Sequence, residues 1–330
     1  MNLRNAFFSA ILFAVASAIA VGAAEGVLRL KNNSMTNYDI EMWRYSKELK
    51  VRSPDSVLDF DHVKNSSALL QSVTIRTNAW GLRGADVPSR DPNVRRVLFL
   101  GGSITLGWGV KEGDTVTEQL NKMFAEKGQK VEILNGGIGN YNAERYVERF
   151  FAEFQGLEPS DIVVQYFLRD AERLDAGGGN FFLRHSQLVV TLWIAANRLT
   201  GKIGEKSLED HYRAVYQEDQ LGYRAMQASL KKLADYAKAK HIRIYLAMTP
   251  DVHNLSNYPF VSIHKRMRRV AEADGYAFVD LLPAFGKLSP DQVWAMPGDP
   301  HPNALGHHLM AEAIFPVLAA TGAATARLDQ

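Results

Sequence analysis

The chain has 330 residues, a length that accommodates one large domain or two of ordinary size. Its residues are 46% hydrophobic and 22% charged, which is typical of a folded globular protein and excludes a disordered chain. The 38 basic and 36 acidic residues leave a net charge of +2, which argues against a broad nucleic-acid-binding surface. Because the sequence contains no cysteine, disulfides and thiolate metal sites are also excluded.

The N-terminus carries a long apolar segment. Arg4 is followed by an uncharged stretch over residues 5–24, and a helix of about 20 apolar residues crosses a bilayer. A cleaved signal peptide is the alternative, with small residues at 22–24 near a cleavage site. The apolar stretch is longer than the usual core of a signal peptide and continues without a break, so we predict an uncleaved anchor over residues 1–30.

Residues 31–93 are of mixed polarity, with aromatic side chains and several turn signals. We predict that they form an N-terminal extension that packs on a main domain over residues 94–330. Within that domain, residues 169–240 form a long stretch between two strand-like runs and are predicted to be an insertion or lid region.

From residue 94 onward, short apolar runs alternate with segments of helical spacing. The strand-like runs cover residues 94–102, 131–137, 161–168, 241–250 and 276–285. The helical segments cover residues 115–127, 143–154, 212–240, 263–274 and 303–318. This alternation predicts a three-layer α/β/α fold with a central parallel sheet, in which ligands bind beyond the carboxyl ends of the strands.

The first of these strands runs into a serine. Residues 97–100 are all apolar, two glycines follow, and Ser103 then opens a segment compatible with a helix. Gly102 and Gly107 have the spacing of a phosphate-binding loop, but Trp108 stands where the lysine of that motif is required. Two interpretations remain for Ser103: a helix N-cap, or a nucleophile that is activated by a base elsewhere in the chain.

A candidate base lies near the C-terminus, in the stretch GDPHPNALGHH at residues 298–308. His301 precedes the last predicted helix, and Asp299 lies two residues before it. Histidine can take the proton of a serine hydroxyl, and an acid can hold the imidazole in the required tautomer. The alternatives are a capped helix start and a metal site that includes His307 or His308, although adjacent helical histidines do not share the spacing of known zinc motifs.

Four blocks in this order resemble those of the SGNH, or GDSL-like, hydrolase family. They are GGSITLG at 101–107, NGGIGNYN at 135–142, VVQYFLRDAE at 163–172 and DPHPN at 299–303. The resemblance implies a flavodoxin-like SGNH fold and a membrane-anchored bacterial serine esterase that needs no cofactor and no metal. It also implies that Ser103 is the nucleophile, His301 the base and Asp299 the residue that orients the histidine.

The same resemblance implies where the oxyanion is bound. Its donors would be the N–H of Ser103, the N–H of Asn140 with Gly139 as its neighbour, and the side chain at residue 169. Here the chain departs from the family pattern, because Arg169 stands where the third block usually has asparagine. Loss of one such donor costs about a hundredfold or more in rate. A guanidinium can donate in its place, or it can pair with an acidic neighbour instead.

Two smaller departures accompany this one. Gly102 stands where the first block usually has aspartate, and the last block has the spacing D-x-H instead of D-x-x-H. Asp299 can still orient the histidine if the turn is tight, and Asp291 is the fallback for that role.

The predicted function is removal of an acyl group, with acetyl as the first candidate, from a carbohydrate or cell-envelope ester through an acyl-enzyme. The alternatives are an O-acyltransferase acting on a polysaccharide and a non-catalytic member that binds glycans or serves as a scaffold. We predict a single-pass protein of the inner or cytoplasmic membrane, held by its N-terminal helix, with the catalytic domain facing the periplasm or exterior. Secretion after signal cleavage is the alternative; nucleic-acid partners are not expected, and the oligomeric state is left open.

Residues 181–199 are rich in apolar and aromatic side chains. They are compatible with a lid over the site, with an interfacial membrane helix, or with an ordinary packed helix, of which we favour the last.

Overall fold

The computed structural model describes residues 3–174, 180–200, 208–286, 288–296 and 301–325. Its helices are α1 (Leu3–Asn32), α2 (Tyr38–Glu48), α3 (Ser103–Leu106), α4 (Val116–Glu126), α5 (Ala143–Arg149), α6 (Phe181–His185), α7 (Gln187–Thr200), α8 (Leu208–Val215), α9 (Leu221–Ala239), α10 (Val261–Ala273), α11 (Leu282–Phe285), α12 (Pro290–Val293) and α13 (Ala304–Thr325). Its strands are β1 (Lys50–Arg52), β2 (Phe60–His62), β3 (Ser66–Leu70), β4 (Val73–Thr77), β5 (Arg95–Gly101), β6 (Val131–Asn135), β7 (Asp161–Tyr166), β8 (Arg243–Met248) and β9 (Ala277–Asp280).

The chain forms two compact units that are interleaved in sequence. The first comprises Met1–Lys47 and Gly177–Glu205, and the second comprises Glu48–Ala176 and Lys206–Gln330. The predicted extension therefore divides, since residues 48–93 belong to the same unit as the main sheet.

The first unit is built around α1, which is long and apolar enough to cross a membrane, as an anchor or a signal sequence would. Helix α7 packs against α1. Glu25 of α1 caps α7, because its carboxylate accepts the backbone N–H groups of Gln187 and Leu188 at 3.0 and 2.9 Å and the hydroxyl of Ser186 at 2.9 Å. Segment 181–199 is thus helical, with a partner within its own unit.

The second unit contains a five-stranded parallel sheet in the order β6-β5-β7-β8-β9. Alternate side chains of β5 enter opposite cores: Val97 and Phe99 lie in one, and Leu98 and Leu100 in the other. Helices α4 and α13 cover the first face, and α5, α9 and α10 cover the second. This arrangement confirms the predicted three-layer α/β/α fold with an additional N-terminal apolar helix.

Two predicted elements were wrong in extent. The helix expected over residues 212–240 is interrupted between α8 and α9, and Tyr216 in the break is bonded through its hydroxyl to Tyr166 and to the carbonyl of Leu168. The strand expected over residues 276–285 ends at Asp280, and Pro283 lies in the short helix α11 that follows.

The extension contributes two antiparallel hairpins to the second unit, β1–β2 and β3–β4. After these hairpins, the backbone of Arg83 forms an isolated β-bridge with Asn135 at the end of β6. Its guanidinium donates to the carbonyls of Gly107 and Val110, at 2.7 and 2.6 Å, in the segment that follows α3. The extension therefore stabilises the backbone conformation of residues 107–110, just beyond Ser103.

Candidate active site

The turn between β5 and α3 places Ser103 at the carboxyl end of the sheet. Helix α3 approaches the strand so closely that a Cβ on Gly101 would lie 2.0 Å from Oγ1 of Thr105 and 2.8 Å from the carbonyl oxygen of Gln165. Glycine is therefore required where the strand ends. The one-turn helix closes at Gly107, whose φ of +79° lies in the left-handed region.

His301 lies within hydrogen-bonding distance of this serine. Its Nε2 lies 2.7 Å from Oγ of Ser103, although 198 residues separate the two in sequence. His301 is only 6% exposed, and its backbone is held by a hydrogen bond from the N–H of Ala295 to its carbonyl at 2.8 Å. The imidazole is thus placed to accept the hydroxyl proton, which is the geometry that nucleophilic catalysis by serine needs.

The predicted orienting acid cannot be placed, because Asp299 lies outside the described residues. Asp291, the fallback, is exposed on α12.

The second-block loop runs alongside the serine turn. The N–H of Ile138 donates to the carbonyl of Gly101 at 3.2 Å, and a Cβ on Gly102 would lie 3.3 Å from the carbonyl oxygen of Tyr141. Within this loop Gly139 is buried, and Asn140 has a φ of +63°, a conformation that favours glycine but that asparagine tolerates. The loop therefore lies beside the serine turn, and the role of the Asn140 N–H as an oxyanion donor stays a prediction.

Arg169, the predicted third donor, lies beyond β7 at the same end of the sheet. Its side chain is 51% exposed, and Nε lies 3.3 Å from Oε2 of Glu172. The guanidinium is thus in contact with an acidic neighbour, Glu172. Whether the guanidinium also serves an oxyanion stays a prediction.

Asp170, next in sequence, is buried and only 3% exposed. Its Oδ2 accepts the N–H of Phe167 at 2.9 Å and the hydroxyl of Tyr146 at 3.2 Å. Burial raises the pKa of Asp170 to about 7, and these two hydrogen bonds only partly oppose it. Asp170 is therefore a buried titrating group within the third block.

The two histidines that follow His301 are used in helix packing. Nδ1 of His307 accepts the N–H of Val116 at 3.1 Å, and Nδ1 of His308 lies 3.0 Å from Oε1 of Gln119. Burial, followed by the charges of Arg83 and His301, lowers the pKa of His307 to about 3, so this ring is neutral. Over the described part of the chain, no three acidic or histidine side chains are grouped as a metal site requires.

Sequence reasoning missed a buried lysine at this site. Lys50, in β1 of the extension, is only 8% exposed, and its Nζ donates a 2.8 Å hydrogen bond to the carbonyl oxygen of Gly139. A lone lysine in a short strand that the sequence pattern did not predict gave no signal of this contact.

The family model that describes GDSL-like lipases and acylhydrolases matches residues 99–309. This span contains Ser103, the second-block loop, Arg169 and His301.

Several solved structures are also similar. TesA shares 16% identity over 68% of this chain and 98% of its own, with a TM-score of 0.46. LAE5, an alpha/beta hydrolase enzyme from the metagenome of Lake Arreo in Spain, shares 20% identity over 69% of this chain and 95% of its own, with a TM-score of 0.44. A two-domain esterase active on acetylated mannans shares 16% identity over 69% of this chain and 49% of its own, with a TM-score of 0.43. A search of curated proteins returns no match.

Proposed function

Because the chain belongs to the GDSL-like lipase/acylhydrolase family, we propose that it is a serine ester hydrolase whose nucleophile is Ser103. The proposed substrate is an acylated carbohydrate or cell-envelope ester, with acetyl as the first acyl group to test. The observation that carries the proposal is the 2.7 Å contact between Nε2 of His301 and Oγ of Ser103. An imidazole at this distance can remove the hydroxyl proton as the oxygen attacks.

The proposed reaction has two halves. In the first, Oγ of Ser103 attacks the ester carbonyl while Nε2 of His301 takes its proton, and the N–H groups of Ser103 and Asn140, with Arg169, bind the oxyanion. The intermediate collapses to an acyl-enzyme, and the sugar oxygen leaves with the proton from His301. In the second half, water gives a proton to His301 and attacks the acyl-enzyme, and the acid is released as the serine regains its proton. Asp299 is assigned to orient the imidazole throughout.

We propose that α1 is retained as a membrane anchor, with the catalytic unit outside the cytoplasm. The length and apolar character of α1 support this assignment. The cap that Glu25 provides for α7 supports it further, because it makes α1 part of a folded unit.

One observation favours a second candidate, a non-catalytic member of the family that binds glycans. Arg169 replaces the usual amide donor, and its side chain is half-exposed beside Glu172. Transfer of the acyl group to a sugar hydroxyl uses the same first half-reaction and is an outcome of the test below.

The test uses the full chain in detergent micelles, with p-nitrophenyl acetate and acetylated xylan as substrates and a fluorophosphonate as a serine-directed label. The parent should hydrolyse both esters and take up the label, and Ser103→Ala should lose about a thousandfold or more in kcat together with all labelling. The control is Ser67→Ala, at an exposed position of β3, which should match the parent. Labelling with acyl transfer to an added sugar, but without hydrolysis, would identify a transferase. A parent that neither labels nor turns over would overturn the proposal in favour of the binding member.

A further inference from the structure

The hairpin β1–β2 packs against the second-block loop through three contacts. Nζ of Lys50 donates to the carbonyl of Gly139 at 2.8 Å and lies 4.0 Å from the ring centroid of Phe60. The rings of Phe60 and Tyr141 lie 5.2 Å apart, and the hydroxyl of Tyr141 donates to the carbonyl of Phe60. On its other side the same loop is fixed to the serine turn, since the N–H of Ile138 donates to the strand that ends there. The loop is therefore in contact both with the hairpin and with the turn that carries Ser103.

Burial of the Lys50 side chain in this position is energetically unfavourable. Lysine is almost never fully buried, because its ammonium group loses the hydration that stabilises it in water. A methionine of similar length would fill the same space without that cost. The 8% exposure of Lys50 therefore points to a function for its hydrogen bond to Gly139.

The geometry of the peptide bond shows what that hydrogen bond does. The carbonyl of Gly139 and the N–H of Asn140 belong to one planar trans peptide, so they point in opposite directions. Lys50 holds the carbonyl on the side of the hairpin, so the N–H of Asn140 points away from Lys50. A donor bound to the carbonyl also polarises the peptide and strengthens the N–H as a hydrogen-bond donor.

We propose that Lys50 is a positioning residue for the reaction: through the carbonyl of Gly139 it aims and strengthens the N–H of Asn140 as an oxyanion donor. The proposal rests on the proposed function, and it makes the N-terminal extension a working part of the active site. It also accounts for the left-handed conformation of Asn140. A φ of +63° is costly for a residue with a side chain, and the peptide that precedes it is the one that Lys50 holds.

The test compares Lys50→Met with Val51→Met in the full chain in detergent. Val51 is the next residue on the same short strand and is 52% exposed. Because the oxyanion forms only after the substrate has bound, Lys50→Met should lower kcat about tenfold to a hundredfold with KM nearly unchanged. Val51→Met should leave both constants within about twofold of the parent, because it changes only an exposed side chain.

A purely structural role predicts a different result. It would lower the melting temperature and the number of sites that react with the fluorophosphonate, but the rate per reactive site would not change. We therefore express kcat per site titrated to its end point. Lys50→Arg retains a basic group and a donor, Lys50→Gln retains only a neutral donor, and the expected order of kcat is parent, Arg, Gln, Met. If the Met variant fails to fold, the Arg and Gln variants decide the matter.

The outcomes separate this proposal from the proposed function. If the parent labels and turns over but the Lys50 variants match it in kcat per titrated site, the positioning role is overturned and the esterase stands. If the parent neither labels nor turns over, both proposals fail together.

Discussion

Replacing Asp170 with asparagine should remove the loss of folding stability that ionisation of this buried carboxyl causes as the pH rises. In an unfolded chain the carboxyl loses its proton near pH 4, whereas burial in the fold raises the pKa of Asp170 to about 7. The folded protein therefore binds the proton more tightly, and its stability falls as the pH rises from about 4 through about 7. A shift of roughly three pKa units, at about 1.4 kcal/mol each, makes the loss about 4 kcal/mol above pH 7.

Asparagine is neutral throughout this range and can still accept from Phe167 and Tyr146. The variant should therefore match the parent to within about 0.5 kcal/mol near pH 4 and exceed it at pH 8. For a unit of this size about 1 kcal/mol corresponds to roughly 2 °C, so the melting temperature of the variant should be about 8 °C higher at pH 8. Scanning calorimetry of the full chain in detergent measures this, with Asp219→Asn in an exposed turn as the control. An equal difference between Asp170→Asn and the parent at both pH values would refute the reasoning.

Three further outcomes follow from other contacts. Gly137→Ala should abolish folding or lower the melting temperature steeply, because its Cβ would lie 2.1 Å from the backbone nitrogen of Leu106. The control is Gly113→Ala, whose Cβ would lie no closer than 3.7 Å to a neighbouring heavy atom, and it should behave as the parent. Asp161→Asn should cost about 3–5 kcal/mol of stability, read as a lower melting temperature, because it breaks a buried carboxylate bound by two arginines. Its kcat should not change, since β7 begins at the edge of the sheet opposite the site, and a loss of kcat in folded protein would contradict this. If Arg169 serves the oxyanion, Arg169→Ala should lower kcat about tenfold to a hundredfold and Arg169→Asn should restore it; equal kcat in Arg169→Ala and the parent would remove that role.

The sheet and the serine–histidine pair could be predicted because each leaves a local pattern. An apolar run such as residues 97–100 indicates a doubly covered strand, and the carboxyl ends of parallel strands meet at one edge, which brings distant motifs together. The helix over 212–240 was overextended because its apolar spacing continues across the break between α8 and α9.

The partner of Lys50 lies 89 residues away, and neither residue belongs to a periodic pattern, so no sequence signal announces their contact. The burial that shifts the pKa of Asp170 is likewise a property of the packed core rather than of its neighbours in sequence.

The way Glu25 caps α7 has a practical consequence for anyone who shortens this protein. A truncated chain that starts after α1 loses the cap of α7 and the surface against which α7 packs. The apolar helix α7 is then left uncovered in the truncated protein, although its Trp193 is already 53% exposed in the full chain. Such a truncation should aggregate for reasons unrelated to the catalytic unit. The interleaved units instead call for two cuts, with 1–47 removed and 177–205 replaced by a short linker, so that the anchor and its distant partner leave together.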